Sequence, residues 1–140
     1  KRQTIDNLRE IEDKFGVLPA VNQVEFHPYH YQKELLDYCN SKNIIIEAYS
    51  PLVHAKRMDE PRLMAISDEL GKTPAQVLIR WAIQRGMVVL PKSVNQDRIV
   101  ENFAVFDFDI SNSLMKRLDD LDERYVTCWD PHNPPPYAPV

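Results

Sequence analysis

Met87-Val88-Val89-Leu90-Pro91-Lys92-Ser93-Val94-Asn95-Gln96-Asp97-Arg98-Ile99-Val100-Glu101-Asn102 is the stretch on which the fold turns. Its apolar start, Met87 to Leu90, stops at a proline, as a buried parallel strand does at the rim of a sheet. Lys92 and Ser93 follow at once, and Arg98, five residues beyond the serine, opens a helix. Backbone amides at a helix start favour an anion, and arginine adds a bidentate fork. Two cations, a hydroxyl and those amides beyond one strand end suit a phosphate. A surface loop with solvated charges has the same spacing, so spacing alone leaves both readings open.

Outward from this stretch, strand-like and helix-like segments alternate. Thr4 to Phe15 places Ile5, Leu8, Ile11 and Phe15 on one helical face and ends at Gly16, a residue suited to a left-handed cap. Pro19 to Glu25 reads as a short strand. Gln32 to Lys42 reads as a helix with Leu35, Leu36 and Cys39 inward. Ile44 to Tyr49 is a second strand, apolar on both faces. After a loop from Ser50 to Asp59, a helix is predicted from about Pro61 to Gly71. Another starts at Thr73, where Thr73-Pro74-Ala75-Gln76 combines a capping hydroxyl, a proline at the first helical position and a glutamine three residues on. Its Leu78, Trp81 and Ala82 face the core. The strand at Met87 to Leu90 leads to a helix from about Asn95 to Phe103. A final helix starts near Ser111, with Ile110 and Met115 stapled across its start and Leu114, Leu118 and Leu121 inward.

Length and charge bound the function. One hundred and forty residues make at most one domain. A net charge of −4 argues against general nucleic-acid binding or an anionic membrane surface as partner. No apolar run approaches the ~20 residues that span a bilayer, and Lys1-Arg2-Gln3-Thr4 lacks the apolar core of a signal peptide. Cys39 and Cys128 lie far apart without metal-ligand spacing, and are expected as free thiols in a reducing cytoplasm. His27, His30, His54 and His132 form no metal motif, so no metal is assigned. From Arg124 to Val140 the chain carries five of its eleven prolines and is neither helix nor central strand.

Alternating strands and helices imply a parallel sheet. With glycine only at 16, 71 and 86, neither a dinucleotide fingerprint nor a phosphate loop ending in Gly-Lys-Ser/Thr exists. An eight-stranded α/β barrel needs ~200 residues or more, so barrel sequence of this length is part of a barrel.

Five blocks carry a specific resemblance. They are Val21-Asn22-Gln23-Val24-Glu25-Phe26-His27-Pro28-Tyr29, Glu47-Ala48-Tyr49-Ser50-Pro51-Leu52, Gly71-Lys72-Thr73-Pro74-Ala75-Gln76-Val77-Leu78-Ile79-Arg80-Trp81, Pro91-Lys92-Ser93 with Arg98-Ile99-Val100-Glu101-Asn102, and Val105-Phe106-Asp107-Phe108. In this order and spacing the chain resembles the carboxyl-terminal part of an aldo-keto reductase. The resemblance covers residues 1–122 as part of a (β/α)8 barrel with about three parallel strands, and leaves 123–140 as an irregular proline-rich tail.

The resemblance implies an NADPH-dependent enzyme that reduces small aldehydes or ketones by hydride transfer. By position, Gln23 matches the glutamine on the nicotinamide carboxamide, and an amide can both donate to and accept from another amide. Tyr49 matches the aromatic that stacks on the nicotinamide. Ser50 and Leu52 match pyrophosphate contacts. Lys92, Ser93, Val94 and Arg98 match the adenosine 2′-phosphate site, and Glu101 and Asn102 match contacts to adenine. Lys92 with Arg98 favours NADPH over NADH. The family's His-Pro element makes His27 and His30 structural, and its tail, where Tyr125, Trp129 and Tyr137 lie here, folds over the substrate pocket. Ala55 stands where relatives often carry glycine, which stiffens the loop from Val53 to Met58.

The family's acid–base residues are aspartate, tyrosine, lysine and histidine. They belong to loops of the first four strands, upstream of what matches here, so no catalytic residue is assigned and the chain alone is expected to be inactive. Two other readings remain: a non-catalytic nucleotide-binding module, and a partial barrel that self-associates through exposed strand edges.

Overall fold

Thr4 caps the first helix, and the computed structural model describes the chain from that residue to Cys128. The Thr4 side chain accepts from the amide of Asn7, whose side chain reaches back to the Thr4 amide, so α1 (Ile5–Phe15) starts with two orphan donors satisfied. It ends at Gly16, whose φ of 67° is left-handed, a conformation that costs glycine nothing. Leu8 is fully buried. Phe15, expected on the same inward face, is 70% exposed at the last helical position.

Then follow β1 (Val21–Glu25), α2 (Lys33–Ser41), β2 (Ile45–Tyr49), a single 3-10 turn (Val53–Ala55), α3 (Pro61–Leu70), α4 (Pro74–Gln84), β3 (Val88–Leu90), α5 (Gln96–Phe103) and α6 (Asn112–Asp119). The strands form one parallel sheet in the order β1-β2-β3. Gln23 lies opposite Glu47 and Glu25 opposite Tyr49, while Glu47 and Tyr49 face Val88 and Leu90 on the other side. Each strand begins a residue or two later than its apolar run, since strand ends are set by pairing and not by composition.

Side chains alternate across the strands. One face presents Val24, Ile46 and Ala48 to the helices, all buried. The other presents Val21, Gln23, Ile45, Glu47, Val88 and Leu90, and there Ile45 is 51% and Val88 45% exposed. Both faces read as apolar in the sequence, but helices cover only one.

Trp81 organises the helical side. Fully buried, its ring lies 6.1 Å from Phe26 and 5.3 Å edge-on from Tyr31, and its indole N–H donates to Asp119 at 2.8 Å. Arg85, one turn along α4, pairs with the same Asp119, so α6 is held by polar as well as apolar contacts. Burying a ring of this size contributes roughly 2–3 kcal/mol. No helix among the described residues is long and apolar enough to cross a membrane. Trp129 and Tyr137, read as part of the tail, lie outside the described residues, as does all of 129–140.

Candidate functional site

Beyond β3, Pro91 leads into a short loop that starts α5. The Asn95 side chain caps the helix by accepting from the Arg98 amide at 3.1 Å, and the Ser93 hydroxyl accepts from the Asn95 amide at 3.2 Å. Ser93 and Asn95 therefore hold the loop in shape. Lys92 and Arg98 form no ion pair among the described residues, whereas Lys72, Arg80, Arg85 and Arg117 are each paired with an acid. The helix start adds its partial positive charge to theirs.

These residues border a cleft of about 520 Å³ between the α5 start, the 3-10 turn and the start of α4. Seven of the ten residues read from the sequence as cofactor contacts line it: Leu52, Lys92, Ser93, Val94, Arg98, Glu101 and Asn102. The other three lie elsewhere. Gln23 is mid-strand on the uncovered face, donating to Glu47 at 3.0 Å. Tyr49 closes β2 on that same face. Ser50 follows it, with its hydroxyl 3.0 Å from that of Thr127. A second, apolar groove of about 410 Å³ runs along Ile99, Val100 and Phe103 of α5.

The loop above the cleft holds an unusual backbone. Ser50, Val53, His54 and Ala55 have φ of 52°, 54°, 50° and 59°, all left-handed and none of them glycine. Such a conformation costs roughly 1–2 kcal/mol per residue. It is offset by the complete burial of Val53 and by amide bonds from Val53 to Ser50 and from Ala55 to Leu52, at 3.0 and 2.7 Å. Arg57 then ties the loop to the segment after α6, bonding Glu123 at 3.3 Å and lying over the Tyr125 ring at 4.5 Å. His54 Nε2 is 3.4 Å from Cys128 Sγ, and neither Cys128 nor the buried Cys39 is in a disulfide.

Glu25 was not singled out from the sequence, yet it is the most densely bonded acid near the site. Its buried carboxylate accepts from the Thr127 amide at 2.6 Å, the Thr127 hydroxyl, the Cys128 amide at 3.1 Å and His27 Nε2 at 3.1 Å. Burial alone would push its carboxyl up. The bonds from His27, Thr127 and Cys128 outweigh that and hold it well below the usual carboxylate range. His27 thus serves structure, as its place in the His-Pro element implied. The one signal for Glu25 was a charged residue between Val24 and Phe26, both buried.

Comparison with known proteins places the chain in a family. A sequence profile of the aldo/keto reductase family matches residues 2–123. An uncharacterised oxidoreductase of Schizosaccharomyces pombe is 47% identical over 115 residues, covering 82% of this chain and 42% of its own length. Glyoxal reductase of Bacillus subtilis is 43% identical over 122 residues, covering 86% of this chain and 44% of its own. A crystal structure of a Gox0644 variant in complex with NADPH superposes with a TM-score of 0.83 at 36% identity, over 88% of this chain and 45% of that one. The chain spans less than half the length of these relatives, and its three parallel strands and flanking helices are part of a (β/α)8 barrel. On sequence and on structure alike, the chain belongs to the aldo/keto reductase family.

Proposed function

We propose that this chain is the nucleotide-holding carboxyl-terminal part of an NADPH-dependent reductase of small aldehydes or ketones, with its boundary to an irregular tail near residue 122. The observation that carries the reading is the cleft beyond β3, where Lys92 and Arg98 stand at the start of α5 without an acidic partner among the described residues. A phosphate there would meet two cations and helix amides, which fits the 2′-phosphate of NADPH. Ser93 and Val94 would complete that end, Glu101 and Asn102 would meet the adenine, and Ser50 and Leu52 the pyrophosphate. Gln23 and Tyr49 share the uncovered face and would hold the carboxamide and ring of the nicotinamide. When bound, that ring supplies a hydride. No residue here is assigned to proton transfer, so the 140-residue chain alone would not reduce carbonyls. The free thiols Cys39 and Cys128 support a cytoplasmic setting.

Titration of the chain with NADPH and NADH tests the reading. Arg98→Ala should weaken NADPH by roughly 1–3 kcal/mol, the worth of one charge-assisted contact, and leave NADH nearly unchanged. Equal losses for both nucleotides would refute the placement of the guanidinium.

A second reading, self-association, is favoured by a different observation: the uncovered sheet face exposes Val21, Ile45, Val88 and Leu90. A second copy packing there would bury apolar surface that water now meets.

A further inference from the structure

The start of α4 reaches across the cleft to one residue of α5 by two independent bonds. The Thr73 hydroxyl donates to Oε1 of Glu101, and Gln76 Nε2 donates to the Glu101 carbonyl at 3.3 Å and to the Ala104 carbonyl at 3.1 Å. Thr73 and Gln76 also form the capping box of α4, so each is held in place by the other. The hydroxyl is fully engaged, accepting from the Gln76 amide at 3.3 Å while it donates to the carboxylate. Glu101 is thus fixed at backbone and side chain by a neighbouring helix. Its second oxygen, Oε2, takes no hydrogen bond among the described residues, and Thr73 and Glu101 both line the cleft.

An ionised carboxylate only accepts hydrogen bonds. One oxygen occupied and one left open makes a directed acceptor rather than a free rotor. We infer that Thr73 is a positioning residue that locks Glu101 so that its open oxygen reads the exocyclic amino group of adenine, making the cleft selective for 6-aminopurines. This rests on the cleft being a nucleotide site, as proposed above. Without the hydroxyl, Glu101 can turn to water, and the base loses its acceptor while the phosphate keeps Lys92 and Arg98.

The test uses the 140-residue chain and two probes that need only the adenosine end of the site: adenosine 2′,5′-bisphosphate and its analogue with hydrogen in place of the 6-amino group. Affinities are measured by calorimetry. The unsubstituted chain should prefer the amino form by about tenfold, one hydrogen bond to a charged acceptor. Thr73→Asp keeps the helix cap, since aspartate caps as well as threonine, but has no proton to donate, and should bring the ratio near one. Thr73→Ser should restore it. The preference for adenosine 2′,5′-bisphosphate over adenosine 5′-monophosphate should stay above one in all three proteins. An unchanged purine ratio in Thr73→Asp, or no rescue by serine, overturns the inference. A chain that binds with 2′-phosphate preference but no preference for the amino form overturns the inference and leaves the nucleotide reading standing. Failure of the unsubstituted chain to bind any of the three probes overturns both.

Discussion

Glu25 and Cys128, 103 positions apart, are joined by a 3.1 Å hydrogen bond from the cysteine amide to the carboxylate. With the two bonds from Thr127, this fastens the segment of Thr127 and Cys128 to the last residue of β1. Glu25→Gln would set an amide N–H₂ against backbone donors and is expected to cost roughly 2–4 kcal/mol at neutral pH. The pH dependence has a definite sign. Because the folded carboxyl is held low and an unfolded glutamate titrates near about 4.3, the unfolded chain takes up the proton first on acidification. The stability from Glu25 is full above about pH 5 and is lost as pH falls towards the folded value. Denaturant unfolding of both proteins from pH 7 down to about pH 3 should show the gap narrowing, and a gap that widens would count against the account.

Trp81 joins core and polar bracing in one side chain. Trp81→Ala is expected to cost roughly 3–5 kcal/mol, the range for a large aromatic removed from a packed core. Trp81→Phe should cost less but leave Asp119 without its indole donor. Circular dichroism melts rank the two, and a phenylalanine variant less stable than the alanine one would contradict the packing described.

Ala55 sits at φ 59° in the middle of the left-handed turn. Ala55→Gly relieves roughly 1–2 kcal/mol of backbone cost, partly offset by about 0.4–1 kcal/mol of added freedom in the unfolded chain. The net expectation is a gain near 0.5–1 kcal/mol and a Tm a few degrees higher. A lower Tm would mean the turn relaxes in solution to a conformation glycine does not favour.

The uncovered face of the sheet makes a prediction about assembly. Light scattering over a concentration series should show mass rising with concentration, and Ile45→Lys, placing a charge at a half-exposed apolar position, should suppress the rise. Mass constant at the monomer value at every concentration removes the self-association reading.

Local signals were legible and distant ones were not. The start of α4 was readable because Thr73-Pro74-Ala75-Gln76 satisfies its own amides within one turn. The cation loop after β3 was readable for the same reason, with Ser93, Asn95 and Arg98 bonding one another. Glu25 was not, because its weight comes from Thr127 and Cys128 across more than a hundred residues. Phe15 was misjudged because periodicity gives the helix face but not how far along the helix that face is covered. Ile45 read correctly as apolar, yet only the structure shows that nothing described here covers it.

The cation loop has a consequence for protein engineering. The hydrogen bonds that shape the loop itself, from Ser93 through the cap of α5, are contiguous in the chain, so it behaves as a cassette. On the function proposed above, grafting it after another parallel strand that feeds a helix should carry affinity for a phosphorylated ribose along with it. The proposed nicotinamide contacts, Gln23 and Tyr49, are split between two strands and have no such portability.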